Sequence, residues 1–245
     1  MYNSVTATLP LMQRNLPAKI DWSVYGVEKA STAFDGRMAY TNKSLYGAGY
    51  IPGRIENVPA QWGDLLDPKY RDKMVANVFL VPRLLGGLSL AWGYDKTLQY
   101  ARDLIGKTGL MLTKAPRETF LQSGERQIAV SEIESTYRRY IHEGQNYAIA
   151  LPEPIVVTQF GVSVMEKAPH PNAARLLTAW MMSPEYRALR TQITGQLSYE
   201  KDAQNEVAKR IYSGAAQVVF DLLENNAERE EAIRKFGPLV AGQTQ

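Results

Sequence analysis

The stretch SEIESTYRRYIHEG opens with the carboxylates of Glu132 and Glu134 and carries the imidazole of His142, groups that general acid–base chemistry uses. On a single helix, however, His142 falls about 15 Å along the axis from Glu132, too far for shared proton transfer. No Ser-His-Asp set, phosphate-cradling glycine loop, dinucleotide glycine motif or His-rich metal motif accompanies them. Catalysis and a bound cofactor are therefore not expected. What remains is chemistry of holding.

In open α/β sheets, ligands sit beyond the carboxyl ends of strands, often at helix N-termini whose free N–H groups favour anions. Four loops carry suitable residues. Asn3 and Ser4, in Asn3-Ser4-Val5-Thr6, read equally well as ligand contacts and as ordinary helix capping. Tyr46 and Tyr50 flank Gly47-Ala48-Gly49, where small residues permit hinge motion and close approach of a ligand, although packing accounts for the tyrosines as well. Arg83, in Val81-Pro82-Arg83, stands where a helix begins and could clamp a carboxylate or phosphonate bidentately; a plain surface arginine is the alternative. In Ser131-Glu132-Ile133-Glu134-Ser135, Ser131 and Glu134 spell a capping box. That leaves Glu132 free to face a cleft.

Segments of strand and helix type alternate around these loops, which argues an α/β fold. MAYTNKSLYGAGYI (38–51) and PIVVTQFGVSVM (154–165) are long extended passages. Between them come MVANVFLV (74–81) as a buried strand stopped by Pro82, a helix ending at Gly93, a second helix from Asp95, the strand QIAVS (127–131), and a helix placing Ile133, Tyr137, Tyr140 and Ile141 on one face. APHPNAARLLTAWMMSPEY (168–186) reads as two capped helices, the first turning Ala173, Leu176, Leu177, Trp180 and Met181 toward a core. The tail from Ser198 reads as helical, with Val218, Val219, Leu222 and Leu223 as its apolar face. Two extended passages bracketing a compact middle are what two lobes joined by two chain crossings would produce.

Composition agrees with a globular chain: 45% hydrophobic and 22% charged residues over 245 positions. The 28 Lys and Arg against 25 Asp and Glu leave only +3, with no dense basic run, so nucleic acid is not an expected partner. With no cysteine there are no disulfides, thiolate nucleophiles or Cys-based metal sites. No apolar run is long enough to span a bilayer.

Three stretches carry a family resemblance. YGAGYIPGRIENVPAQWGDLLDPKYRDKM (46–74), LQSGERQIAV (121–130) and APHPNAARLLTAWMMSPEY occur in the order and at the spacing of the type II periplasmic solute-binding proteins of ABC importers, the class that includes binders of ferric iron, phosphonates and polyamines. The resemblance spans roughly residues 40–200. It implies a two-lobed type II fold with two crossings, residues 1–50 and 160–245 forming one lobe and 51–159 the other. It further implies capture of a small polar or anionic solute between the lobes, a membrane permease as partner and a periplasmic location; a ligand-sensing module on the same fold is the alternative. His170 is then a scaffold residue. In the ferric binders the loop after the Ser-Gly-Glu strand carries adjacent tyrosines, and the matching positions are Glu134 and Ser135, so a phenolate-held ferric ion is not expected.

MYNSVTATLP resembles the family's third strand and the loop after it, and the start lacks the basic-then-apolar plan of a signal peptide. On that comparison the first lobe is incomplete by roughly 60 to 80 residues, at about 30 per βαβ unit. An incomplete lobe leaves apolar surface and an open strand edge, and self-association is expected through it.

Overall fold

The structure, a computed structural model, describes residues 1–221 and 226–242, with the side chains of Asn3, Thr6, Ala7, Asp221 and Asn226 outside that description. In chain order the elements are β1 (Tyr2–Ser4), α1 (Val5–Gln13), β2 (Thr32–Ala33), β3 (Met38–Tyr50), β4 (Met74–Asn77), α2 (Val81–Trp92), α3 (Tyr94–Lys107), β5 (Met111–Thr113), α4 (Arg117–Ser123), β6 (Ile128–Ile133), α5 (Glu134–His142), β7 (Ala148–Ala150), β8 (Ile155–Val162), α6 (Pro171–Met181), α7 (Pro184–Thr194), α8 (Glu206–Tyr212), β9 (Val218–Asp221) and α9 (Asn226–Ala241).

Two strands carry the chain from one half to the other. β3 pairs antiparallel with β8 from Ala39 to Leu45, then with β6 from Tyr46 to Tyr50. β8 in turn pairs with β1 and, in parallel, with β9. Beyond β6 the sheet continues as parallel β4 and β5. The extended passages expected near 38–51 and 154–165 are thus the crossings.

Helices cover both faces of the β4–β6 sheet, so its strands are apolar on both sides. On one face Ala76 and Val130 meet Leu84, Leu85 and Leu88 of α2, Tyr100 and Leu104 of α3, and Phe236 of α9. On the other, Val75 and Ala129 meet Leu121, Tyr137 and Tyr147. α9 packs on α2 so closely that a Cβ at Gly86 would lie 2.5 Å from Ile233.

Several expectations are corrected. The strand from Met74 ends at Asn77 rather than Val81, because the Asn77 side chain accepts the Phe79 N–H and turns the chain; Val81 and Pro82 then open α2, where proline's missing N–H costs nothing. The tail is not helical throughout. Val218 and Val219 lie in strand β9, drawn into the sheet by the free edge of β8, while Leu222 and Leu223 lie outside the described residues. The apolar stripe of α6 does not pack inward: Leu176, Leu177 and Trp180 are 66%, 53% and 41% exposed, and Thr178 is the buried residue. The caps of that hairpin do form, with Ser183 Oγ accepting the Tyr186 N–H at 3.2 Å. Periodicity locates an amphipathic stripe but not the partner it faces.

The glycines of the first crossing are required by packing. A Cβ at Gly49 would fall 2.0 Å from the Tyr137 ring, and one at Gly47 would fall 2.5 Å from the Ala150 carbonyl oxygen. Gly49→Ala is expected to lower stability by about 1–3 kcal/mol, since a buried ring between α5 and the sheet has no room to yield. An unchanged denaturant midpoint would refute this account of the glycine.

Candidate functional site

Strand directions place a cleft. β6 runs from Ile128, opposite Tyr50, to Ile133, opposite Tyr46, and so points toward the half of the molecule where β3 pairs with β8; β4 and β5 run parallel to it. β1 is antiparallel to β8 and therefore parallel to β3, so it points the other way, ending at Ser4 where α1 begins. The carboxyl ends of strands from both halves thus face each other across the crossing segments. This is where open α/β sheets bind ligands.

The wall after β4, β5 and β6 is cationic. Arg83, third residue of α2, is exposed and has no hydrogen bond or ion pair among the described residues. Lys114 follows β5, exposed and without an ion pair among the described residues, its ammonium 6.0 Å from the ring centroid of Phe79, which is itself 61% exposed. Thr113 joins the two loops: it pairs with Asn77, and its carbonyl accepts the Val78 N–H.

Arg117, three residues after Lys114, belongs to a buried ion pair. Arg117 donates from Nε to Glu132 Oε1 at 2.6 Å and from Nη2 to Oε2 at 2.8 Å, with Glu132 only 1% exposed. A local backbone feature aims that carboxylate. Between Gly47↔Glu132 and Gly49↔Ala129 β6 has one more residue than β3, a β-bulge, and Ser131 within it adopts φ 61°. A serine held in the left-handed region stores on the order of 1–3 kcal/mol. Its hydroxyl is fully buried without a hydrogen-bond partner among the described residues. Burial raises the Glu132 pKa above the ordinary carboxylate range, against the opposing pull of Arg117.

The bulge corrects two expectations. Ser131 does not cap α5, because β6 runs on to Ile133; Glu134 instead is buried and pairs with Arg138. Glu132 does not stand free, because its carboxylate is saturated by Arg117. Tyr46 sits in the core beside α2, 3% exposed, as part of the cleft floor. Tyr50 is not brought to the cleft: opposite the start of β6, it stands about 13 Å along the strand from Tyr46. Ser4 ends β1 at the opposing wall, its carbonyl accepting Thr8 Oγ1 at 2.9 Å, and Asn3 precedes it, its backbone paired with Gly161. Arg117 and Lys114 were missed in the sequence because neither belongs to a motif; Arg117 meets Glu132 only through the fold.

Tyr137 offers no phenolate here. It is fully buried in contact with Tyr140 and Tyr147, and burial raises its pKa well above the ordinary phenol value. A cavity lined by Ile20, Trp22, Val27 and Phe34 lies away from these loops.

Solved structures share this arrangement. The apo ferric ion-binding protein A of Pasteurella haemolytica matches with a TM-score of 0.75 at 14% identity, over 98% of this chain and 81% of that one. The fold is that of the two-lobed periplasmic binding proteins. The substrate-binding protein of an ABC transporter from Agrobacterium tumefaciens matches at 0.75 and 13%, over 98% and 78% of the two chains. The binding protein AfuA of Actinobacillus pleuropneumoniae, with exogenous fructose-6-phosphate bound, matches at 0.75 and 17%, over 98% and 81%. No protein-family model and no curated protein matches the chain. Identities this low carry the fold and leave the ligand to be argued from the site.

Replacing Arg117 by Met would leave Glu132 buried without its counter-charge, with an expected loss of about 3 kcal/mol at neutral pH. The folded pKa of Glu132, already above its ordinary value of 4.5, would rise further. Stability from a raised carboxyl is complete below the unfolded pKa and is lost as pH climbs through the folded one. The deficit of Arg117→Met in denaturant titrations should therefore be smallest near pH 4.5 and grow toward pH 8; a pH-independent deficit would contradict this assignment.

Proposed function

We propose that this protein is the solute-binding component of an ABC-type importer, closing two lobes on a small anionic solute and presenting the closed form to a membrane permease. The observation that carries the reading is the pair of cations, Arg83 and Lys114, that have no counter-charge among the described residues, on a wall formed by strand ends and a helix N-terminus. Phosphate or carboxylate oxygens are the natural occupants of such a wall. The exposed ring of Phe79 adds a surface on which an apolar or sugar moiety could lie.

Arg117 acts on this reading as a floor for the anion. Its outer nitrogen, Nη1, reaches only the Ala115 carbonyl, at 3.4 Å, while Glu132 holds the guanidinium in place. Asn3 and Ser4 supply the opposing wall, and closure shifts the population between open and closed lobes by the ligand's differential affinity. The extracytoplasmic location follows from the same reading, as that is where importers collect their solutes.

A thermal-shift and calorimetric screen of the purified protein against phosphate, sugar phosphates, phosphonates, dicarboxylates and ferric ion tests this. A bound anion at 100 times its Kd should stabilise the fold by about 2.7 kcal/mol. Arg83→Ala and Lys114→Ala should each weaken binding about tenfold, equivalent to about 1.4 kcal/mol, while leaving the ligand-free melting temperature unchanged. Affinity indifferent to both substitutions would remove the cleft wall from the site.

A further inference from the structure

Between α1 and β3 the chain folds back on itself around a cavity of about 590 Å³, which shares no residue with the loops around Arg83 and Lys114. Its floor is apolar. Ile20 and Trp22 reach it from the cluster they form with Ala18, Ala39 and Val164, and Ala33 reaches it from the cluster of Val5 and Met38. Val27 and Phe34, both half-buried, wall the space where the two clusters come together. Apolar clusters that meet would ordinarily close such a gap, since a void forfeits the contacts across it.

A strained turn borders the gap. Phe34, Asp35 and Gly36 take φ of 52°, 55° and 79°, three successive left-handed residues, of which only the glycine adopts that conformation without cost. The turn is pinned to the start of the loop. The Gly36 carbonyl accepts the Trp22 Nε1–H at 2.7 Å and the Ile20 N–H at 3.4 Å, and Asp35 pairs with Lys19. A Cβ at Gly36 would lie 2.3 Å from the Ile20 carbonyl oxygen, so the two segments already touch there. Strain of this kind persists only where the surroundings fix it, and it gathers at ligand sites.

The rim adds a charge preference. Lys19 holds the Asp35 carboxyl below the ordinary carboxylate range, and Lys29 and Arg37 act on it in the same sense at longer range. The other carboxylate of the rim, Asp21, accepts the N–H and the hydroxyl of Ser23 at 3.0 and 2.6 Å. Lys29 is exposed and has no ion pair among the described residues, so it is the cation at this mouth that lacks a counter-charge.

We propose that this cavity is a second ligand site, separate from the cleft, taking a small aromatic monocarboxylate whose ring lies against Trp22 and Phe34 and whose carboxylate meets Lys29. The volume is that of a small-molecule pocket, and an apolar interior with a few polar groups at its mouth suits an amphipathic occupant. Two ring-bearing walls favour an aromatic body over an aliphatic one. The unpaired ammonium favours an anionic head over a neutral or cationic one.

Calorimetric titration of the full chain with 1-naphthylacetate should show one site with a Kd on the order of 0.1–1 mM, ordinary for so small a ligand. The uncharged 1-naphthylacetamide and the cationic 1-naphthylmethylamine should bind at least roughly tenfold more weakly. Val27→Trp fills the space between the walls and should abolish binding, while Lys29→Ala, at an exposed position, should weaken it about tenfold. Arg83→Ala should leave it unchanged, which separates this site from the anion-binding wall of the cleft. Absence of saturation at about 10 mM overturns the proposal, as does an affinity indifferent to Lys29→Ala or one lost with Arg83→Ala. Equal binding of the acid and its amide refutes the proposed class of ligand. Should Val27→Trp fail to fold, Lys29→Ala and the amide decide.

Discussion

The antiparallel pairing of β3 with β8, from Ala39↔Val162 to Leu45↔Val157, is the constraint on which the rest depends. β3 runs on past this shared stretch to pair with β6, while the other edge of β8 takes β1 and β9, so the pair belongs to both sheets. Lys43 in the middle is tied to Glu200, which anchors the loop after α7 to the crossing. Directions then follow: with β3 fixed, β6 must run back toward the crossing and β1 must run forward to it. The two sets of carboxyl strand ends are opposed before any site residue is considered.

On that frame the end of β6 is shaped by one irregularity. The β-bulge at Ser131 breaks the alternation of β6 and brings the Glu132 carboxylate to Arg117. Burying the pair carries a desolvation cost that its two hydrogen bonds oppose. Such a pair adds little stability by itself. Its effect is to hold the Arg117 guanidinium in one orientation, three residues from Lys114 in the chain.

The lobes are also coupled at the edge of the crossing. Tyr199, fully buried and with its phenol pushed up by burial, lies beside Glu134 and Arg138 of α5, and Gly195 at the end of α7 leaves room for His142, whose Cβ a side chain there would meet at 2.4 Å. Elements of the two halves therefore pack on one another here as well as being joined by two strands.

Alternation of strand and helix patterns, the two long extended runs, and the capped starts at Pro171 and Pro184 were legible from residue order alone, because each rests on local periodicity or on a side chain bonding its own backbone. The α/β class and the crossings followed from them, and the resemblance to two-lobed binding proteins from the three stretches at 46–74, 121–130 and 168–186. Long-range partnership was not legible. Nothing local distinguishes Val218-Val219 as a strand beside β8 from one face of a helix, shows that Ser131 sits in a bulge rather than a cap, or reveals that Leu176 and Trp180 face outward. Nor could spacing pair Arg117 with Glu132 or carry Tyr50 away from Tyr46. Those outcomes depend on which surfaces meet, and only the tertiary structure, by fixing register and the neighbours of each face, decided them.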